Sequence, residues 1–272
     1  MSNTPRVCLT IAGLDPSGGA GVIADIKTFR AFGCFPAAAV TSLTFQNTVG
    51  VYGAEHQTAA TLRGQVQPII DDYNIDAVKT GMLPTLEVIA EAVHLITTSG
   101  MKNIVVDPVV RSTSGFDLIR DEALRALIAG LFPIADLITP NIPEAERISE
   151  MVIKSESDIR AAARKMQSAG ARNVLIKGGH RFESTINEET GGNGARLAID
   201  HLFLGERHEV LVAEFIETTA THGTGCTLSA AIAANLALGF ELIESVRKAK
   251  QFVTEAIRTS PNIGKGNSPI NI

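Results

Sequence analysis

The stretch His222-Gly-Thr-Gly-Cys226 puts two glycines and a cysteine at the head of an apolar run, CTLSAAIAANLALG. Leu228, Ile232 and Leu236 recur every four residues, and Ala231, Ala234 and Leu238 widen the stripe, so the run reads as a mostly buried helix stopped by Gly239. The first turn of such a helix leaves backbone N–H groups unpaired and carries a partial positive charge. Gly223 and Gly225 let that backbone come close to an anion. A phosphoryl group in transfer is such an anion; a tight turn entering a buried helix is the plainer reading. Cys226 stands in the same field, which lowers a thiol pKa and makes thiolate accessible near neutral pH. A thiolate there can attack a carbonyl or take a proton from a hydroxyl. A small buried hydrophobe is the commonest fate of a free cysteine, and Cys8 and Cys34 keep that reading.

Other reactive side chains fall at similar places. TPNIPEAE sets Asn141 and Glu144 three apart just past a strand, with Pro143 suited to a first helical turn. Glu144 is either an ordinary acid favoured by the helix dipole or a carboxylate for hydrated magnesium. Asp107, closing NIVVD, is a second carboxylate facing the same edge, and Lys177, closing NVLIK, is a cation where an apolar strand stops. Carboxylates, a lysine and an anion-binding helix end are the parts of phosphoryl transfer. In DPSGGAGVIAD, Gly18, Gly19 and Gly21 open a helix that carries Asp25. The glycine spacing is not that of a dinucleotide fingerprint, and no G-K-S/T follows to make a Walker A loop. A cysteine hydrolase needs a histidine placed to activate Cys226; His222 lies on the turn, and no third orienting residue is evident.

These groups need a scaffold that brings them to one edge. Strands are expected at Val7–Ala12, Ala38–Phe45, Ala77–Thr80, Asn103–Asp107, Leu137–Thr139 and Asn173–Lys177. Amphipathic helical stretches lie between them at Ala20–Phe32, Leu86–Thr98, Ala123–Leu131 and Ser157–Ala169. Gly33, Gly100 and Gly170 follow three of these, where a helix C-terminus favours glycine. The strands are apolar throughout rather than alternating, as expected when both faces are covered, which gives an α/β fold with a mainly parallel sheet. Ligands of such sheets sit beyond the C-terminal strand ends, where AGLDPSGGAG, TFQNT, KTGML, DPVVRSTSG, TPNIPEAE and KGGH fall. The 183–196 stretch has no apolar period and reads as an exposed loop before a hairpin, IDHLFLG and EVLVAEFIET, whose β-branched face suits pairing with a second subunit.

Composition narrows the class. The chain has 272 residues, 45% apolar and 19% charged, which suits one globular domain spanning residues 1–272. A net charge of −5 without a basic block or a tryptophan argues against nucleic-acid binding. Three scattered cysteines make neither a disulfide framework nor a structural zinc site. No signal peptide or membrane span is evident, so a cytoplasmic protein is expected.

Six segments in order, DPSGGAG-x3-AD-x-KTF, Gln46-Asn47-Thr48, KTGML, ITPNIPEAE, KGGH and THGTGCTLSAAIAA, resemble the hydroxymethylpyrimidine/phosphomethylpyrimidine kinases of thiamine biosynthesis. These are members of the ribokinase-like superfamily, and the likeness covers nearly the whole chain. The resemblance implies a three-layer α/β/α sandwich, with ATP and Mg2+ as cofactors. The implied reaction phosphorylates 4-amino-5-hydroxymethyl-2-methylpyrimidine and then its monophosphate. It implies that Gln46 reads the aminopyrimidine edge, while Gly13, Ala20, Asp25, Met82 and Val109 line the same pocket. Asn141 and Glu144 match an N-x-x-E motif for magnesium and phosphate, and Asp107 and Lys177 match positions near the ATP phosphates. Gly223, Thr224 and Gly225 match an anion hole, and Cys226 stands where most sugar-kinase relatives carry the aspartate base. Leu14, Arg111, Thr113 and Phe116 depart from the pattern. Relatives are often dimers, so a homodimer is expected. A pyridoxal kinase of the same superfamily is the competing reading, since its substrate is also a flat ring with a hydroxymethyl arm. A nucleotide-sensing module that has lost turnover is a non-enzymatic one.

Overall fold

Apolar strands without alternation need cover on both faces, and the fold supplies it with one sheet between two helical layers. The computed structural model describes residues 4–111, 117–178 and 196–272. Along the chain these form β1 (Val7–Leu14), α1 (Gly21–Ala31), β2 (Phe35–Gln46), β3 (Val51–His56), α2 (Ala59–Asp72), β4 (Ala77–Thr80), α3 (Leu86–Thr98) and β5 (Ile104–Val106). There follow α4 (Asp121–Leu131), β6 (Leu137–Ile138), α5 (Ile142–Ser149), α6 (Glu156–Ser168), β7 (Asn173–Lys177), β8 (Leu197–Leu204), β9 (Arg207–Glu214), α7 (Thr224–Ala237) and α8 (Leu242–Arg258).

The strand order is β3-β2-β1-β4-β5-β6-β7-β8-β9. From β2 to β7 every neighbour is parallel, while β3 on one edge and β8 and β9 on the other join by antiparallel pairings. Successive strand residues serve opposite layers. Leu9, Ile11, Val78, Val106, Ile138 and Ile176 pack with residues of α2 to α6. Cys8, Ala77, Val105, Leu137 and Leu175 pack with Phe29 of α1 and with α7 and α8. Cys8 and Cys34 are thus core residues, as expected.

The expected strands and helices all form, with ends that move by up to four residues. Gly33, Gly100 and Gly170 each follow a helix with φ of 78°, 64° and 111°. Helices α2 and α8 and strand β3 are additions. The α2 sequence carries Gly64 and Pro68, both helix-weakening, yet Thr58 caps it and Leu62 and Val66 bury its inner face. No helix among the described residues is long and apolar enough to cross a membrane.

Parallel strands all end on one side. The C-terminal ends of β1, β2, β4, β5, β6 and β7 therefore share an edge, and a cavity of about 610 Å3 opens there.

Candidate active site

One wall of the cavity is the turn into α7. Gly223 is the N-cap with φ of 86°, and a Cβ on it would lie 1.7 Å from the carbonyl oxygen of Gly19. Only glycine fits that contact, which presses the turn against the DPSGGAG loop. The first intrahelical bond runs from Thr227 N to Gly223 O at 2.9 Å, so the N–H groups of Gly225 and Cys226 precede it. Lys177, at the end of β7, reaches this helix start: a Cβ on Gly225 would be 3.2 Å from its Nζ.

Lys177 donates to Asp107 Oδ1 at 3.0 Å, and Thr139 donates to the same oxygen at 3.2 Å. Ser229 of α7 donates to Asp107 Oδ2 at 3.4 Å. Burial alone would raise the Asp107 carboxyl, but the Lys177 and Lys79 charges hold it below its usual value. Burial would likewise lower the Lys177 ammonium, and Asp107 and Glu144 hold it up. The pair is therefore charged.

Asn141 and Glu144 start α5 as a capping box. Asn141 Oδ1 accepts from Glu144 N at 2.9 Å, and Glu144 Oε2 accepts from Asn141 N at 2.8 Å. Both also line the cavity, so the ordinary first-turn role and a place in the site coincide. Burial, over the opposing charge of Lys177, pushes the Glu144 carboxyl up to about 7.

Gly13, Ala20, Gln46, Met82 and Val109 all line the cavity. A Cβ on Gly13 would come within 3.1 Å of Met82 Sδ, so the glycine leaves the thioether its place on the wall. Thr41 fixes Met82 by donating to its carbonyl at 2.6 Å. Gln46 ends β2 half-buried.

Two expectations need correction. Asp25 does not reach the cavity wall: it is fully buried, with Oδ2 accepting from Lys79 Nζ at 2.8 Å and Thr10 Oγ1 at 2.6 Å. The residue on the wall is its partner, Lys79. Nor does the helix end lower the Cys226 thiol. Burial pushes it up to about 11, against the lowering effects of Lys79 and of a hydrogen bond from the Gly21 backbone. Helix-end polarity is real, but here desolvation of the thiolate is larger.

Several wall residues were not singled out from the sequence. Asp15 ends the β1 turn and accepts from His222 Nε2 at 2.6 Å, from Ala20 N at 2.9 Å, and from Ser17 N and Oγ at 2.8 and 2.7 Å. Burial would raise its carboxyl, but the His222 and Ser17 hydrogen bonds hold it far below the usual range. This clamp ties the glycine loop to the α7 turn. At the far end, Lys250 of α8 donates to Asp200 Oδ2 at 2.6 Å, and Gly178 N donates to Asp200 Oδ1 at 3.1 Å. Val253, Thr254 and Ile257 continue that wall along α8. The signal for Asp15 was its place beside the glycines; Asp200 and Lys250 are 50 residues apart and gave none. Leu14 and Arg111 line the cavity, and Arg111 pairs with Asp117 at 2.9 Å. Thr113, Phe116, the Gly179-His180 end of KGGH and the loop expected at 183–196, up to residue 195, lie outside the described residues.

The chain matches the family described as phosphomethylpyrimidine kinase over residues 15–271. It is 40% identical over 272 residues to a hydroxymethylpyrimidine/phosphomethylpyrimidine kinase of Haemophilus influenzae, covering 100% of this chain and 97% of that one. Among solved structures it is similar to phosphomethylpyrimidine kinase from Clostridium difficile, with a TM-score of 0.77, 38% identity and coverage of 93% and 99%. It is also similar to an ADP complex of Bacillus subtilis pyridoxal kinase, with a TM-score of 0.86, 37% identity and coverage of 98% and 97%.

Proposed function

Since this chain belongs to the phosphomethylpyrimidine kinase family, we propose that it phosphorylates 4-amino-5-hydroxymethyl-2-methylpyrimidine with ATP and then phosphorylates the monophosphate. The observation that carries this reading is a single cavity running from Gln46 and Met82 to the Gly223–Cys226 turn, which leads a flat ring's hydroxymethyl arm to an anion-binding helix end.

The chain's own residues divide the work. Gln46 both donates and accepts through its amide, which suits an amino group beside a ring nitrogen. Met82 and Val109 give apolar contact to the ring faces. The Gly225 and Cys226 N–H groups and the Lys177 ammonium stabilise the transferred γ-phosphoryl. In the first step the hydroxymethyl oxygen bonds to the γ-phosphorus, its proton passes to the Cys226 sulfur as thiolate, and the bond to the β-phosphate oxygen breaks to release ADP. In the second step a phosphate oxygen attacks, and no hydroxyl proton has to be removed. Lys250 and Asp200, with the α8 wall, suit the nucleotide end.

The donor set fits magnesium held through water. Asp107 and Glu144 line one stretch of the cavity, and both are already hydrogen-bonded, which suits an ion that keeps several of its waters. Bound there, Mg2+ would offset charge on the ATP phosphates.

The similarity to pyridoxal kinase marks the competing alcohol. Purified protein with Mg·ATP is expected to show a kcat/KM for the pyrimidine alcohol at least about tenfold above that for pyridoxal, a difference of about 1.4 kcal/mol in transition-state stabilisation. The reverse order would replace this reading with a pyridoxal kinase.

A further inference from the structure

Lys79 has no part in the scheme above, yet it stands inside the site. It is the third residue of AVKT, a strand buried at all four positions, and its side chain has no exposure. Burying an ammonium and a carboxylate together rarely gains stability over an apolar pair of the same size. A pair kept beside a cavity therefore points to use of the charge.

The local geometry supports this. Lys79 has three N–H donors, and among the described residues it donates one hydrogen bond, to Asp25 Oδ2. Asp25 Oδ1 is buried without a hydrogen-bond partner, so the carboxylate serves chiefly to anchor Lys79 and Thr10. A Cβ on Gly81, where the chain leaves β4, would come within 2.9 Å of Lys79 Nζ, so the glycine preserves the space the ammonium occupies. Both Lys79 and Cys226 line the cavity. The charged groups acting on the Cys226 sulfur come from several packed elements. Lys79 of β4 favours the thiolate, while Asp25 of α1 and Asp107 after β5 oppose it. Lys177 of β7 also interacts with the sulfur, but it is held by Asp107 on the phosphate side.

We infer that Lys79, anchored by Asp25, is a positioning residue for the proton transfer at Cys226: on the sheet face where Ala77 packs against α7, its ammonium holds positive charge in the cavity wall it shares with the sulfur that takes the substrate's hydroxyl proton. This rests on the kinase reading. The substrate O–H bond breaks, an S–H bond forms, the oxygen electron pair goes to phosphorus, and Lys79 keeps its own protons throughout.

The test follows iodoacetamide alkylation of Cys226 against pH, read by peptide mass spectrometry on the full chain. Cys8 and Cys34 are fully buried and do not compete. In Lys79→Met the alkylation midpoint is expected to move up by about one pH unit or more, so that the rate at a fixed lower pH falls about tenfold. Lys79→Arg is expected to restore most of the rate. Asp25→Asn/Lys79→Met removes both charges and is expected to shift the midpoint the same way by less, because Asp25 opposes Lys79. The pH profile of the first phosphorylation is expected to move with the midpoint, and that of the second to stay. An unchanged midpoint in a folded Lys79→Met or double variant overturns the inference. Failure of both to melt cooperatively assigns Lys79 to folding and overturns it as well. Alkylation needs neither ATP nor pyrimidine, so the result stands apart from the choice of substrate.

Discussion

At the scale of single residues, the sulfur of Cys226 is the group on which the proposed chemistry turns. It stays a thiol near neutral pH in the free protein, with burial holding it near 11. Its thiolate is therefore scarce but strongly basic. A proton acceptor of that kind matters for an alcohol and not for a phosphate monoester already ionised. Cys226→Ala is accordingly expected to slow the first phosphorylation by about 100-fold or more and the second far less. Rapid-quench rates for the two steps check this, and equal slowing of both would contradict the base role. Much of this wall was legible from spacing: Gly223, Gly225, Cys226, Lys177 and Asp107 each mark a strand or helix end. Asp25 was placed in the pocket by the family resemblance, and its partner Lys79 lies 54 residues away, so no local spacing marks the buried pair. The Asp15–His222 clamp spans 207 residues and has no local spacing to betray it.

Among elements, the parallel strands and the helices between them could be read because each carried an uninterrupted apolar run or a helical stripe. β3, with the sequence VYGAEH, is half exposed and, among the described residues, pairs on one side with β2, so it lacks the buried run that marks the others. α2 hides behind Gly64 and Pro68. α8 has its stripe in Val246, Ala249 and Val253, and its period was there to read. The β8–β9 hairpin carries a pH-sensitive feature. His201 Nδ1 and His208 Nε2 lie 3.1 Å apart, with ring planes 5° apart and centroids 5.3 Å apart, so the nitrogens face each other and share one proton. Burial lowers both pKa values below 6.5. The folded state thus binds fewer protons than the unfolded chain. Stability from this pair is present above about pH 6.5 and is lost as pH falls through the lower folded values. Thermal melts are expected to show the melting temperature dropping from about pH 6.5 toward pH 5, and to show a flatter profile in His208→Gln. A profile equally steep in both would contradict the assignment.

For the whole molecule, one sheet brings residues from both ends of the chain to one cavity: Gly13 and Asp15 meet His222 and Cys226 across it. At this scale we propose one structural unit that pairs as a homodimer. The hairpin strand β9 does expose Val210 and Val212, but the larger exposed apolar side chains lie at the β2–β3 edge, with Phe45 at 55% and Tyr52 at 66%, and a second copy of the chain suits that face rather than the hairpin. Light scattering at micromolar concentration is expected to give twice the chain mass, falling to one chain mass in Tyr52→Lys; one chain mass for the unmutated protein would contradict the dimer.

The central claim is two phosphorylations of one pyrimidine at one site. Its most direct test is a mass-spectrometric time course of the purified chain with hydroxymethylpyrimidine and Mg·ATP. The expected result is a monophosphate that rises and then gives way to a diphosphate. A pyrimidine that stays unphosphorylated while ATP is intact would contradict the account.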